Sequence, residues 1–197
     1  GETGEGTVPV TRDIADYGVA VGDWILVNAK DQRPPRILDR KSVLRRRGAG
    51  TDVTSQLIAA NVDTLFIVSS CNADFNVPRL ERYLALALQA EVDPVVILTK
   101  ADLAEDPAAY EHRVETDLRS TVAVAVDATS PDLARKLAPW ITAGKTVALV
   151  GSSGVGKSTI TCNLAALSAA SGLRTLVIDL APHGNTPQSL MGSVGIP

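Results

Sequence analysis

The chain has 197 residues, of which 45% are hydrophobic and 21% charged, and its net charge at pH 7 is -3. This composition is that of an ordinary globular protein with one or two domains, and it excludes a molecule that attracts nucleic acid over its whole surface. Two distant cysteines, Cys71 and Cys162, fit a reducing compartment. No apolar run approaches the ~18 residues of a membrane helix, and no signal-peptide pattern opens the chain. We therefore expect a cytoplasmic protein with no membrane partner.

Residues 1–50 predict a small β-rich module. Its glycine-rich opening is expected to be flexible. The stretch GDWILVNA alternates as a half-buried strand does, and PPRILDRKSVLRRR continues in an extended style. GAGTDVTSQ is interpreted as a linker, because its glycines are followed by polar residues.

Positive charge is concentrated in this module. A large share of the chain's 19 lysines and arginines lies at Arg33, Arg36, Arg40, Lys41, Arg45, Arg46 and Arg47. On a β-rich module, such a patch could track RNA phosphates, with Arg45, Arg46 and Arg47 as its core. The alternative is a solvated face that is partly paired with Asp31 and Asp39, and the residues alone leave both open.

Residues 51–197 show a different pattern, in which short apolar runs alternate with helical stretches. The helical stretches are VPRLERYLALALQAE, with Leu80, Tyr83, Leu84 and Leu88 at helical spacing, DPAAYEHRVETDL, SPDLARKLAPW and KSTITCNLAALSAAS. The runs predict strands buried on both faces: DTLFIVSS, DPVVILTK, STVAVAVD, KTVALVGS and LRTLVIDL. The predicted fold class is α/β, a P-loop NTPase-type doubly wound parallel sheet. We expect LRTLVIDL beside KTVALV on one flank, and DTLFIVSS, DPVVILTK and STVAVAVD in that order on the other.

The strongest motif is GSSGVGKS, which matches G-x-x-x-x-G-K-[ST] between an apolar strand and an alanine-rich helix. Its glycines let the backbone turn its N–H groups toward phosphate oxygens. Lys157 is suited to neutralise phosphate charge and Ser158 to hold Mg²⁺. The predicted phosphate-binding residues are Gly151, Ser152, Ser153, Gly154, Val155, Gly156, Lys157, Ser158 and Thr159.

Two further motifs close apolar strands at the edge where a doubly wound sheet binds its ligand. In LTKAD, Asp102 could accept the N1–H and 2-amino hydrogens of guanine, while the Lys100 stem lies along the base. The alternative makes Asp102 the N-cap of the next helix. In VAVDATS, Asp127, Ala128 and Thr129 could present backbone amides to the base carbonyl, or they could form an ordinary turn.

The stretches VAVGDW, SVLRRR, SQLIAANVDTLFIVSSCNADFNVPRLERYLALA, VILTKADL and GKTVALVGSSGVGKST together resemble the RsgA (YjeQ) family of circularly permuted GTPases over about residues 19–160. The resemblance implies a truncated OB-like β module, then a GTPase domain in which the base motifs precede the phosphate loop. It also implies binding of GTP or GDP with Mg²⁺, recognition of guanine by Thr99, Lys100, Ala101 and Asp102, and action in maturation of the small ribosomal subunit or its rRNA. The family's zinc domain is not expected, because two distant cysteines cannot build such a site.

After Thr159 the sequence departs from that family. CNLAALSAASGLRTLVIDLAPHGNTPQSLMG resembles the ParA/MinD ATPases, so about residues 157–197 are interpreted as a ParA-like continuation. Asp179 is a candidate Mg²⁺ ligand and a weak catalytic candidate. Ser152 and Ala181 stand where that family has a lysine and a second aspartate. We therefore expect slow hydrolysis, and no catalytic residue is assigned.

The leading interpretation is a guanine-nucleotide-binding P-loop protein. Its alternatives are a ParA-like ATPase fragment and a folded hybrid that binds only nucleotide or phosphate. The TKAD and DATS motifs favour the first.

Overall fold

The computed structural model describes residues 18–26, 36–47, 55–118 and 121–178. The chain divides into two compact units between Val62 and Asp63. The sequence predicts this division at residue 50, and in the structure it falls later because a strand that pairs within the first unit follows that point. The expected flexible opening lies outside the described residues.

In its described residues, the first unit contains two small antiparallel sheets. Strand β1 (Ile25–Leu26) pairs with β2 (Arg36–Ile37), and β3 (Val43–Arg47) pairs with β4 (Ser55–Ala60). The end of the expected linker, Ser55 and Gln56, is thus part of β4, where it pairs with Arg47 and Arg46. An OB-like barrel stays a prediction for this unit.

A bidentate ion pair ties this unit together. The Nε and Nη2 atoms of Arg40 both lie 2.7 Å from the carboxylate oxygens of Asp23, and Nη2 also donates to the Gly18 carbonyl at 2.7 Å. Burial raises the pKa of Asp23, but the Arg40 hydrogen bond and charge outweigh it and leave the pKa lowered. Arg40 therefore has a structural partner, Asp23, which the sequence analysis does not name as a partner of the basic stretch.

The described part of the second unit is built on a four-stranded sheet whose neighbouring strands are all parallel. The spatial order is β7-β6-β5-β8, which confirms the predicted order of these four strands. Each strand is one of the predicted apolar runs: β5 (Thr64–Ser70), β6 (Asp93–Thr99), β7 (Val122–Ala125) and β8 (Val147–Gly151). All residues of β5 are buried, as expected for the strand between two neighbours under helices on both faces.

Within the described ranges, four helices connect or follow these strands: α1 (Val77–Gln89), α2 (Pro107–Asp117), α3 (Leu133–Leu137) and α4 (Lys157–Ala170). Side-chain caps start the first two, because Asn76 accepts from the Arg79 N–H at 2.9 Å and Asp106 from the Ala109 N–H at 3.1 Å. The predicted helices are confirmed in existence and type. The predicted apolar face of α1 is wrong at Leu88, which is 63% exposed, whereas Ala87 is buried.

One face of the sheet forms a core with α3 and α4. Phe66 and Val68 of β5 pack in one cluster with Leu133 and Leu137 of α3 and with Ile160 of α4. The side chains that alternate with them are buried too, on the face contacted by α1 and α2: Leu65, Ile67, Val96 and Leu98. The predicted α/β architecture with a parallel sheet is confirmed.

The fifth predicted strand is wrong for the part that the structure describes. Residues 173–178 of LRTLVIDL take part in no strand, and β8 ends the sheet among the described residues. Leu176 and Ile178 are 66% and 51% exposed. The apolar pattern of this run therefore does not suffice to make a strand among the described residues. The rest of that run, with Asp179, lies outside the described residues.

Candidate nucleotide-binding site

The phosphate-loop motif occupies the turn between β8 and α4. Gly151 ends β8 so close to β5 that a Cβ there would collide with the Val68 carbonyl oxygen. Gly156, at φ 89°, adopts the left-handed conformation that precedes Lys157. The backbone N–H groups of residues 153–156 donate to no acceptor among the described residues. The loop therefore offers free N–H donors beside the N-terminus of a 14-residue helix, which suits an anion.

Lys157 folds back over this loop. Its Nζ lies 3.0 Å from the Gly151 carbonyl and also donates to the Ser152 carbonyl. Burial lowers the pKa of Lys157. An ammonium group has three N–H donors, so one remains for a phosphate oxygen.

Arg79, from the first turn of α1, holds the other side of Ser152. Its Nη1 donates to the Ser152 hydroxyl at 2.6 Å in a half-buried position. Ser152 is thus held through its carbonyl by Lys157 and through its hydroxyl by Arg79. No motif in the sequence identifies Arg79, because 73 residues separate it from its partner.

Thr99 ends β6 and is only 1% exposed. Its hydroxyl lies 2.7 Å from the Val155 carbonyl of the phosphate loop and 3.0 Å from the Ser69 carbonyl of β5. The residue predicted to help recognise the base therefore contacts protein. It links the end of β6 to the phosphate loop.

Asp102 stands in a 3-10 turn, Ala101–Leu103, directly after β6. Its carboxylate is exposed and takes part in no hydrogen bond or ion pair among the described residues. The α2 N-cap is Asp106, so the alternative that made Asp102 a helix cap is wrong. Lys100 precedes the turn at φ 60°, and Ala101 donates its N–H to the Val126 carbonyl at 3.2 Å. This last contact joins the TKAD and DAT loops.

Asp127, Ala128 and Thr129 form the adjacent loop after β7. The Oδ1 atom of Asp127 accepts from the Thr129 N–H at 2.8 Å and from its hydroxyl at 2.7 Å, and these bonds lower the Asp127 pKa. The Thr129 N–H is therefore occupied. In contrast, the N–H groups of Asp127 and Ala128 meet no acceptor in the described part of the chain. Two amides of this loop thus remain for a ligand.

Asn163, in the second turn of α4, connects the helix that follows the phosphate loop to the DAT loop. Its Nδ2 donates to the Ala128 carbonyl at 2.5 Å. Ala128 is itself buried in the cluster that contains Leu164 of α4. Neither motif includes Asn163, so only the packing of α4 against the loop identifies it.

The other predicted site residues are distributed differently. Ser158 and Thr159 are exposed at the start of α4, while Asp179 lies outside the described residues. Arg45 is exposed on β3, and Arg46 and Arg47 continue that strand in the first unit. Among the described ranges, no three His, Cys, Asp or Glu residues group in a way that could hold a metal ion. None of the helices described is long and apolar enough to cross a membrane.

A parallel sheet with a G-x-x-x-x-G-K-[ST] loop between strand and helix defines the class of P-loop proteins. A family model described as RsgA GTPase matches residues 37–177, which is more than half of the chain. The chain belongs to the RsgA GTPase family.

Two relatives illustrate this membership. The small ribosomal subunit biogenesis GTPase RsgA of Mesorhizobium japonicum is 51% identical over 164 residues, which cover 83% of this chain and 47% of the relative. RsgA 2 of Vibrio vulnificus, which bears the same description, is 50% identical over 148 residues, 74% of this chain and 42% of the relative. The chain thus spans about half the length of the curated relatives it matches.

Solved structures agree in fold. YjeQ from Thermotoga maritima superposes with a TM-score of 0.57 at 21% identity, over 77% of this chain and 53% of that one. YloQ, described as a circularly permuted GTPase, gives a TM-score of 0.50 at 25% identity, over 73% and 48% of the two chains. In this chain the phosphate loop follows the TKAD and DAT loops in sequence.

Proposed function

We propose that this chain binds GTP and GDP as part of a GTPase that acts in maturation of the small ribosomal subunit. One observation carries the proposal: the phosphate loop and two loops suited to guanine lie at the same edge of the sheet. Thr99 and Asn163 join them through hydrogen bonds of 2.7 and 2.5 Å. The names of the relatives support the ribosomal role.

In this proposal Gly151–Thr159 surround the phosphates. The free N–H groups of residues 153–156 and the third donor of Lys157 contact phosphate oxygens, and the α4 N-terminus adds its partial positive charge. A charged donor to phosphate in a half-buried loop contributes more than a neutral one.

Guanine selectivity rests on Asp102. Its exposed carboxylate, which no described residue occupies, accepts the N1–H and 2-amino hydrogens, which adenine does not present together. The open amides of Asp127 and Ala128 donate to the base carbonyl. The Lys100 stem covers one face of the base.

Calorimetric titration with GTP, GDP, ATP and ADP in the presence of Mg²⁺ tests this function. We expect saturable binding of both guanine nucleotides and much weaker binding of both adenine nucleotides. Equal affinity for GDP and ADP contradicts guanine recognition, and it is the result that a ParA-like ATPase fragment or a simple phosphate site predicts.

The site residues fit a magnesium ion. Mg²⁺ prefers hard oxygen ligands and usually combines one or two protein oxygens with phosphate oxygens and water. The exposed Ser158 hydroxyl at the start of α4 is such an oxygen beside the phosphate loop. We propose Ser158 as the protein ligand and Asp179 as a second ligand. When bound, the ion neutralises phosphate charge.

Binding to ribosomal RNA is proposed for the first unit, with Arg45, Arg46 and Arg47 on β3 as its basic core. Arg40 is excluded from that surface because Asp23 holds it. Affinity for small-subunit RNA should fall steeply with salt, and replacing the three arginines should flatten that dependence. Salt-independent binding contradicts contact with RNA phosphates and supports the alternative that these arginines form a solvated face. This role is consistent with a cytoplasmic location, as the sequence predicts.

The remaining proposals concern the end of the chain. The family match stops at residue 177, and a ParA-like continuation over residues 157–197 rests on the sequence pattern alone. Slow hydrolysis rests on the same pattern, because Ser152 and Ala181 replace residues that would reach phosphate or water. Phosphate release by purified protein, with and without small subunits, measures it. A turnover of about 1 per second or more contradicts the expectation.

A further inference from the structure

Asn163 is a side chain of α4 that contacts the DAT loop, which consists of Asp127, Ala128 and Thr129. It lies in the second turn of α4, after Lys157 and Ser158 have begun the helix. Its Nδ2 lies 2.5 Å from the Ala128 carbonyl oxygen. Because a carbonyl oxygen can only accept a hydrogen bond, the NH₂ end of the amide must face the loop.

The loop is restrained on three sides. The Ala128 methyl group is buried in the core beside Leu164 of α4. The Asp127 carboxylate holds Thr129 through two hydrogen bonds, and Asn163 holds the Ala128 carbonyl. What these contacts leave unused are the N–H groups of Asp127 and Ala128, for which the described residues supply no acceptor. Ala128 as a whole is 9% exposed.

We infer that Asn163 is a specificity-positioning residue that holds the Ala128 backbone so that the N–H of Ala128 reads the 6-carbonyl oxygen of guanine. This inference rests on the proposed guanine-nucleotide function. Asn163 touches no base itself. It acts through Ala128, and because it belongs to the helix that begins at the phosphate loop, it couples the position of the phosphates to the reading of the base.

The test compares GDP with 6-thio-GDP, in which sulfur, a weaker acceptor, replaces the 6-oxygen while N1–H and the 2-amino group remain. For the wild-type chain we expect GDP to bind about 2- to 10-fold more tightly, the range of one neutral hydrogen bond. Asn163→Ala should bring this ratio close to 1. Asn163→Asp keeps the shape but cannot donate when ionised, so it should do the same.

The Asn163→Asp variant separates positioning from packing. If Asn163 only filled space, the isosteric aspartate would keep the full ratio. The added negative charge repels both diphosphates equally and cancels in the ratio. Ser168→Ala, further along α4 and without a side-chain hydrogen bond in the described part of the chain, is the matched control and should leave the ratio unchanged.

Failure of the inference differs from failure of the proposed function. A wild-type chain that binds GDP and ADP equally contradicts guanine recognition itself. A wild-type chain that prefers GDP over ADP but not over 6-thio-GDP overturns the reading of the 6-oxygen by the loop. Asn163 variants that fold, measured by circular dichroism, and keep the wild-type ratio overturn the role of Asn163 alone.

Discussion

The phosphate loop (Gly151–Thr159) lies beside the base edge, which is formed by the TKAD loop (residues 99–102) and the DAT loop (residues 127–129). The two regions are held in place in different ways. The phosphate loop depends mainly on its own residues: Gly156 adopts a left-handed conformation, and Lys157 donates to the carbonyls of Gly151 and Ser152, five or six positions away. The base edge depends on distant partners, since Thr99 reaches Val155 and Asn163 reaches Ala128, over 56 and 35 positions.

This difference separates the residues proposed to bind the nucleotide from the residues that hold the loops in position. In the phosphate loop, Lys157 is the charged side chain of the motif, and one of its three N–H donors remains unused. At the base edge, two residues of the predicted recognition motifs are occupied by protein, because Thr99 bridges two carbonyls and Asp127 holds Thr129. Of the two carboxylates in these motifs, Asp102 is the one that is exposed and forms no hydrogen bond or ion pair with a described residue. Mutations should therefore divide into base-dependent and base-independent classes.

The largest expected effect is base-dependent and belongs to Asp102. Asn in place of Asp102 reverses one acceptor into a donor, which suits the 2-oxygen of xanthine instead of the 2-amino group of guanine. We expect GDP affinity to fall about 100-fold or more while affinity for xanthosine diphosphate rises, because an unpaired polar group at the base is heavily penalised. Calorimetry with both nucleotides measures the switch.

Asp106→Asn is the matched control for this change. Asp106 caps α2, and asparagine caps a helix about equally well, so this variant should keep guanine preference. If Asp102→Asn binds GDP as the wild-type chain does, Asp102 does not read the base.

The next effect is base-independent and belongs to Lys157. Lys157→Ala removes a charge-assisted contact of about 1.5–3 kcal/mol, or roughly 10- to 100-fold in affinity. The loss should be the same for GDP and for 6-thio-GDP, since both carry the same phosphates. Lys145→Ala is the control, because this lysine pairs with Asp63 at 3.0 Å just before β8 begins. A loss that depends on the base would remove the distinction between the two regions.

Thr99 should affect folding more than base choice. Thr99→Val keeps the β-branched shape but removes the one buried O–H, which lies closest to the Val155 carbonyl, at a cost of about 1–3 kcal/mol in the free energy of unfolding. Urea denaturation measures this loss, and the ratio of GDP to ADP affinity should change little. Thr99→Ser, which keeps the hydroxyl, should retain most of the stability. A large change of base preference at unchanged stability would show that Thr99 contacts the base.

The four strands of the sheet and the four helices could be predicted from the sequence because each is specified by residues close together in the chain. Apolar runs such as that of β5 and caps such as Asn76 operate within a few residues. The phosphate loop was predictable for the same reason. The occupied state of Thr99 and the part played by Asn163 were not, because each depends on which backbone carbonyl a distant strand or loop presents. The strand expected at residues 173–178 failed similarly, since burial depends on covering layers that a local pattern does not report.

The smallest effect concerns Arg79, which with Thr99 makes the long-range side-chain hydrogen bonds described at the phosphate loop. Arg79→Ala removes the 2.6 Å hydrogen bond to Ser152 but leaves both Lys157 contacts in place. We expect affinity for GTP and GDP to fall together by about 2- to 10-fold, the range of one hydrogen bond, with guanine preference intact. Arg82→Ala, an exposed arginine on the same helix, makes the same change of charge without touching the loop and should leave affinity near that of the wild-type chain. Calorimetry on both variants compares them directly. If Arg79→Ala lowers affinity as much as Lys157→Ala does, the phosphate loop is no more self-sufficient than the base edge, and the contrast between the two regions is lost.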